Sequence, residues 1–302
     1  MEYSGNSTHC SGEQPSGRVD TLADVDALGN SLAAGTWTEQ ELYTILACPN
    51  CRGSLAIRDD RAAECASCGA TYSRLSHGWD MSPPRERLDS AEWRAWQVLQ
   101  DNGSVAYEAD PEHNLAIGQR TDFLAFGAFC DLSGDVLDVG CGPQAWPTHF
   151  SAAAPGTRFV GVDPLVGQRG ADYAQVRGLA EHLPFAEGVF DRVVFATTID
   201  HFVDPVAALR EAVRVLRPGG VIGAFVGHKR DDASPPAQSP AWYLRLEPPD
   251  GHDDLFHVHR LDPSGAEALF ARSGLRIEAA ESHRVDDLRS NHFFRLTPDL
   301  SE

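Results

Sequence analysis

The sequence predicts a doubly wound α/β fold, with a mainly parallel sheet and an antiparallel edge strand, preceded by a small cysteine-bounded ribbon. Three observations carry this expectation. From Asp135 onward, short β-branched runs alternate with amphipathic helical ones. The first such run ends in a glycine turn, Gly140-Cys141-Gly142. Two C-x-x-C pairs stand nearer the amino terminus. Strands that alternate with helices argue for parallel pairing with both sheet faces covered.

Taken in order, residues 1–36 are rich in Ser, Gly and Asn and read as a mobile arm with a short helix near Leu22 to Leu28. Residues 37–84 hold the cysteine pairs and end at Pro83-Pro84, a natural boundary. Residues 85–131 read as a helical lid or linker. Trp93, Trp96 and Leu99 fall on one helix face, and Pro111 opens a second helix towards Phe129. Residues 132–302 form the main domain, with strands expected at 136–139, 159–162, 192–196 and 221–226. A helix over 205–217 is opened by Asp204 as N-cap with Pro205 behind it, and closed by Pro218-Gly219-Gly220. Residues 228–240 read as an exposed loop or lid. A helix over 263–273 and strands at 275–280 and 292–296 complete the chain, the last two pairing as an antiparallel edge.

A chain of 302 residues suits one catalytic domain plus a small module. No run of eighteen apolar residues and no charged-then-apolar start occurs, so neither a membrane span nor a secretory signal is expected. The formal charge is −19, and Lys229 is the only lysine. Such a surface repels phosphate backbones, which disfavours nucleic acid as a partner. Cys10, Cys130 and Cys141 are scattered and read as free thiols, which fits a cytoplasmic protein. The oligomeric state leaves no trace in the sequence.

Cys48-Pro49-Asn50-Cys51 and Cys65-Ala66-Ser67-Cys68-Gly69 are separated by thirteen residues. Four thiolates in two such knuckles can close a tetrahedron around Zn2+ at about 2.3 Å, with no open position for water, so a structural zinc is expected. Cys48-Pro49, Arg52-Gly53-Ser54-Leu55, Cys68-Gly69-Ala70-Thr71-Tyr72 and His77-Gly78, with Trp79 and Met81 as apolar exit, resemble the zinc ribbons that precede some bacterial methyltransferases. In ribosomal-RNA guanine methyltransferases a related ribbon helps hold RNA. Here Arg52, Arg58, Arg61 and Arg74 are offset by Asp59, Asp60, Glu64 and Asp80, so a packing or substrate-capping role is the expectation.

The glycine turn lets the backbone pass close to a ligand. A lone G-x-G is also found in nucleotide dehydrogenases. Asp163 ends the second strand twenty-five residues after Asp138, where an acid can accept both hydroxyls of a ribose. Gly178-Leu179-Ala180-Glu181, Gly188-Val189-Phe190-Asp191, Asp200-His201 with Asp204-Pro205, and Arg217-Pro218-Gly219-Gly220 follow in order. This series resembles class I S-adenosyl-L-methionine-dependent methyltransferases over roughly residues 130–227, with their Rossmann-like sheet. The resemblance implies that Gly140, Cys141 and Gly142 line the methionine part of the cofactor, with Asp138 just behind them. It implies that Asp163 holds the ribose, Leu165 packs on the adenine, Ala180 and Glu181 edge it, and Thr197 faces the methionine amino group. Two positions depart from the family pattern: Gln144 stands where a third glycine is usual, and Leu179 where many relatives carry an acid.

Methyl transfer is an in-line displacement, so the enzyme mainly aligns the acceptor, and a hydroxyl acceptor also needs a base. His201, after the fourth strand, is the first candidate base or active-site residue, with a plain helix-entry histidine as the rival reading. His252, His257 and His259 crowd together, and alternation places His257 and His259 on one strand face, either against substrate or as packing. Beside Asp253 or Asp254 they could hold a metal, since some sugar methyltransferases use magnesium. Tyr107, Glu108, His113 and Asn114 lie where relatives lid the cofactor, and Tyr107, His113 and His259 are candidate substrate contacts. The run from Phe159 to Leu165 and Asp200-His201 are similar to methyltransferases of bacterial glycan and natural-product pathways. That resemblance implies a sugar-like or other small-molecule acceptor, methylated on oxygen or nitrogen. The rival readings are an RNA base methyltransferase that recognises RNA through the ribbon, and a non-catalytic cofactor-binding scaffold.

Overall fold

The computed structural model describes residues 35–58, 61–114, 120–167, 170–230 and 239–299, with His113 and Asn114 described by backbone alone. Residues 1–34 of the predicted arm with its helix near Leu22, Cys10, Asp59, Asp60, the His113 side chain and most of the 228–240 loop lie outside the described residues, while the arm's last two residues, Gly35 and Thr36, form a short strand.

The parallel core strands form where the sequence alternates two apolar faces. They are β6 (Asp135–Val139), β7 (Arg158–Asp163), β8 (Ala174–Arg177), β9 (Phe190–Ala196) and β10 (Leu216–Lys229). Val136, Phe159, Val194 and Phe225 point to one face and pack with Phe123 and Phe126. Their neighbours Leu137, Val160, Val193 and Ala224 point to the other. That period of two is what a sheet covered on both sides requires.

The first face is covered by α4 (Thr121–Phe129) and a 3-10 turn, Thr148–Ala152. The second is covered by α5 (Pro205–Val215) and α6 (Pro263–Arg272), both of which start as the sequence predicts. Asp204 and Asp262 each cap their helix by accepting an amide three residues on, ahead of Pro205 and Pro263. β11 (Leu275–Arg284) and β12 (Arg289–Pro298) form the antiparallel edge, with β12 lying between β11 and β10.

Three local expectations change. The second lid helix is described as two pieces, α3 (Pro111–Asn114) and α4, with 115–119 outside the described residues. His228 and Lys229 belong to β10 because they pair with Ser290 and Arg289 of β12. No strand forms around His257. The Asp254 carboxylate accepts the amides of Phe256 (2.8 Å) and His257 (2.9 Å), which turns the chain there.

The ribbon continues the same sheet. Its strands are β2 (Leu55–Ile57), β3 (Ala62–Cys65), β4 (Thr71–Arg74) and β5 (Trp79–Asp80), antiparallel in sequence order. β5 then pairs in parallel with β8, Trp79 opposite Val176 and Asp80 opposite Arg177. The order across the sheet is therefore β11-β12-β10-β9-β6-β7-β8-β5-β4-β3-β2, with β1 (Gly35–Thr36) on the start of β7. Trp79, Met81, Tyr72 and Cys65 belong to one apolar core with Val162, Val176 and Phe185. α1 (Glu39–Ile45) closes the ribbon's side through a reciprocal cap. The Thr38 hydroxyl accepts the Glu41 amide, and the Glu41 carboxylate accepts the Thr38 amide.

Gly78 sets how closely β5 approaches β8. Its φ is +90°, and a Cβ there would lie 2.2 Å from the Gln175 carbonyl oxygen, which is backbone and cannot swing away. Gly78→Ala should therefore destabilise the protein by roughly 1–3 kcal/mol through combined clash and left-handed strain. Denaturant midpoints of parent and variant measure this, and an unchanged midpoint would show that the β5–β8 junction carries no weight in stability.

Candidate functional site

Strand order reverses between β6 and β9, the place where open α/β sheets leave a crevice at the carboxyl ends of their strands. A cavity of about 310 Å³ occupies that place. Its floor is the turn after β6 and the turn after β7, joined by one side chain. Asp163 is buried, and its carboxylate accepts the Gly142 amide at 2.9 Å and the Leu165 amide at 2.7 Å. Burial pushes its carboxyl up to about 6, against the lowering effect of those two amides.

Gly140 and Gly142 have φ of +78° and +64°. A Cβ at Gly140 would strike Thr198 at 2.6 Å. Thr198 in turn donates its hydroxyl proton to the Val139 carbonyl at 2.9 Å, so the turn after β9 clamps the turn after β6. Gln144, at the position where a third glycine is usual, donates its side-chain amide to the Cys141 carbonyl (3.2 Å) and closes the turn by itself. The Cys141 thiol points away from the cavity against Gly161, and burial holds it well above the usual thiol range.

The remaining predicted positions divide by location. Leu165, Ala180, Glu181, Thr197 and Tyr107 all line the cavity, as do His201 and His257. Glu181 is buried with its carboxylate turned to the Val203 amide at 2.8 Å, and burial raises its carboxyl. Burial pushes the Tyr107 phenol up, with the Asp163 charge adding to the effect. Leu179, where many relatives carry an acid, also lines the wall. Asp138 is not at the surface of the cavity. It is buried beneath the turn, with a carboxylate oxygen 3.2 Å from Nε2 of the equally buried His149. His252 and His259 are half-buried and stand off the cavity wall.

Along another part of the cavity wall, the 3-10 turn Ile199–His201 meets the 256–259 loop. The Asp200 carbonyl accepts the amides of Val258 (3.0 Å) and His259 (2.9 Å), and the His201 carbonyl accepts the Trp96 indole N–H (3.1 Å). This brings the His201 and His257 rings to 4.6 Å between centroids, and desolvation pulls the His201 imidazole below its ordinary value. Trp96 and Leu99 of α2 (Ala91–Ala109), with Phe123, Phe202 and Phe256, supply an apolar wall beside them. Phe256 and Phe202 carried no sequence signal for this role. They arrive through contacts between segments far apart in the chain.

The four ribbon cysteines also converge. Cys48 and Cys68 sulfurs are 3.7 Å apart, Cys51 and Cys65 sulfurs 3.4 Å, and all four lie within 4.8 Å of one another. A tetrahedron with metal–sulfur bonds of about 2.3 Å has edges of about 3.8 Å. The donor set therefore fits a tetrahedral ion with little movement.

Residues 137–224 match a family model described as a methyltransferase domain. An uncharacterized methyltransferase of Mycobacterium sp. (strain JLS) is 36% identical over 110 residues, 31% of this chain and 42% of that protein. A demethylmenaquinone methyltransferase of Mycolicibacterium vanbaalenii is 40% identical over 92 residues, 29% of this chain and 40% of that protein. Methyltransferase GfsG of Streptomyces halstedii is 37% identical over 140 residues, 41% of this chain and 50% of that protein. The match spans no more than half the length of any of these three. Residues 137–224 are thus similar to a methyltransferase domain, a stretch of less than a third of this chain. Among the described residues, no helix is long and apolar enough to cross a membrane.

Thr197 is the strained point of the cavity. It is β-branched, yet it holds φ at +62°, a left-handed conformation that costs of order 1–3 kcal/mol. Thr197→Gly should relieve the strain and raise stability by about 1 kcal/mol. Thermal unfolding of the variant checks this, and a lower midpoint would mean that the threonine side chain contributes more than its backbone loses.

Proposed function

We propose that the protein transfers a methyl group from S-adenosyl-L-methionine to a hydroxyl or amine of a small-molecule acceptor of sugar-like or natural-product type. The observation that carries the reading is the buried Asp163 carboxylate at the floor of the cavity, between the Gly140–Gly142 turn and Leu165. In this reading, Gly140, Cys141 and Gly142 offer backbone to the methionine part, and Asp163 accepts the ribose hydroxyls. Leu165 packs on the adenine, with Ala180 and Glu181 at its edge. Thr197 faces the methionine amino group, and Tyr107 covers the ribose side. When bound, the cofactor supplies an electrophilic methyl group on a sulfonium.

In this reading the acceptor's reacting atom lies beside His201 and His257; in support, both line the cavity, and the wall of Trp96, Phe202 and Phe256 suits an acceptor with an apolar face. A net charge of −19 and a single lysine weigh against an RNA acceptor. The six described cysteines form no disulfide, in keeping with a protein of the cytoplasm.

Calorimetry with S-adenosylmethionine, followed by a labelled-methyl screen over sugars, aminocyclitols and RNA, tests the reading. Asp163→Ala should weaken the cofactor by about 1.5–3 kcal/mol, since charge-assisted hydrogen bonds to the ribose are lost. The ionised carboxylate is the form that accepts those hydroxyls. Affinity should therefore hold above about pH 7 and decline as pH falls through the raised value of about 6, a limb the variant should lack. Equal affinity in parent and variant would place the ribose elsewhere.

The ribbon is proposed to hold one structural Zn2+ through Cys48, Cys51, Cys65 and Cys68. Its support is the near-tetrahedral spacing of the four sulfurs. Metal analysis of protein purified without chelator should find one zinc per chain. Cys65→Ser should release the ion and destabilise the ribbon, because binding and folding are coupled. Zinc-free protein of parental stability would end this assignment.

A further inference from the structure

The geometry points to a second metal site: Asp200, His201 and His257 hold a divalent transition-metal ion at the acceptor end of the cavity. Where that ion acts on an acceptor, the inference rests on the methyltransferase reading. That it binds at all does not.

The ligand atoms are already gathered. His201 Nε2 lies 3.8 Å from Asp200 Oδ1, and His257 Nε2 lies 3.8 Å from Asp200 Oδ2. All three groups offer atoms within 4.8 Å of one another. At 3.8 Å neither imidazole is hydrogen-bonded to the carboxylate. Three ligands at about 2.1 Å from a shared ion, however, stand about 3.4–3.6 Å apart. The spacing is that of ligands about to share a cation.

The other nitrogen of each ring is already engaged. His201 Nδ1 is 2.9 Å from the Phe256 carbonyl, which can only accept, so Nδ1 carries the proton and Nε2 presents a lone pair. His257 Nδ1 is 3.0 Å from Asp254 Oδ1, which fixes the same tautomer. Asp254 is itself held by two amides and by an ion pair with Arg260. A carboxylate or carbonyl behind each ligating histidine is the usual outer shell of a metal site, where it orients the ring and makes it more basic. Three acceptors thus converge with no donor among them, which is the arrangement a shared cation needs.

Two imidazoles and one carboxylate, with further positions open, suit Mn2+, Fe2+, Co2+ or Zn2+ better than Ca2+ or Mg2+. The open positions face the cavity, since His201 and His257 both line it. An acceptor hydroxyl bound there is acidified and releases its proton to water. Its oxygen lone pair then forms the O–CH3 bond while the S–CH3 bond breaks, its electron pair returning to sulfur. The acceptor class is thereby narrowed to molecules that offer a metal-binding hydroxyl.

Mn2+ is the probe, because it leaves the four thiolates to zinc. Zinc-loaded full-length protein is titrated with Mn2+, and the free ion is read by electron paramagnetic resonance. One bound Mn2+ per chain is expected. Asp200→Asn and His257→Ala should each weaken it by about 10- to 100-fold or more. S-adenosylmethionine affinity, measured on the same samples, should stay at the parental value, which also shows that the variants are folded. Absence of Mn2+ binding, or equal binding in parent and both variants, overturns the site. Loss of cofactor binding in the parent protein would instead strike the methyltransferase reading and leave the Mn2+ result standing.

Discussion

The carboxylate of Asp163 holds two chain turns in place at once, and the cavity depends on it. One oxygen binds the amide after the first parallel strand of the main domain, the other the amide after its neighbour. The carboxyl edge of the sheet therefore has a fixed floor before any ligand arrives. The opposite edge is closed differently. Asp135 pairs with Arg158 and Arg217, and Asp191 pairs with Arg217, so charge is neutralised within the protein. At the floor of the cavity, no arginine among the described residues pairs with Asp163. Burial raises the pKa of its carboxyl, and a neutral donor such as a sugar hydroxyl can satisfy the carboxylate without introducing a second charge.

The ribbon bears on the same floor from the side. Arg177 ends β8, donates to the Val166 carbonyl at 3.0 Å and reaches Asp80 of the ribbon at 3.3 Å, while its own carbonyl accepts the Met81 amide at 2.8 Å. The residues immediately after Arg177 are those that line the cavity beside Leu165. The ribbon is thus a buttress for one cavity wall. Its near balance of charge, legible in the sequence, accords with a surface that packs.

Much of the main domain was legible because its strands alternate apolar residues between two covered faces and its helices announce their starts with Asp-Pro. The glycine turn and the strand-end acid were legible because few residue types can take those places. The β5–β8 junction was not: two residues, Trp79 and Asp80, carry no periodicity, and their partner lies far along the chain. His257-Val258-His259 imitates a strand, but a side chain three residues back from the first histidine turns it into a loop. Gln144 breaks the glycine pattern and replaces it with a hydrogen bond that no pattern encodes. His149, buried against Asp138, gave no sign of itself, since a histidine in a helical stretch is ordinary until its neighbours are known.

The parallel pairing of Trp79 with Val176 also dictates an order of events during synthesis. The four thiolates can close on an ion once Cys68 has left the ribosome, but the strand that receives β5 emerges about a hundred residues later. In that interval the ribbon has an unpaired strand edge, and the apolar side that joins the core of the main domain in the mature protein is uncovered. Contacts of such long sequence separation form slowly. The nascent chain therefore carries a sticky edge through about a third of its translation, and the yield of correctly joined protein rests on how that edge is shielded until β8 arrives.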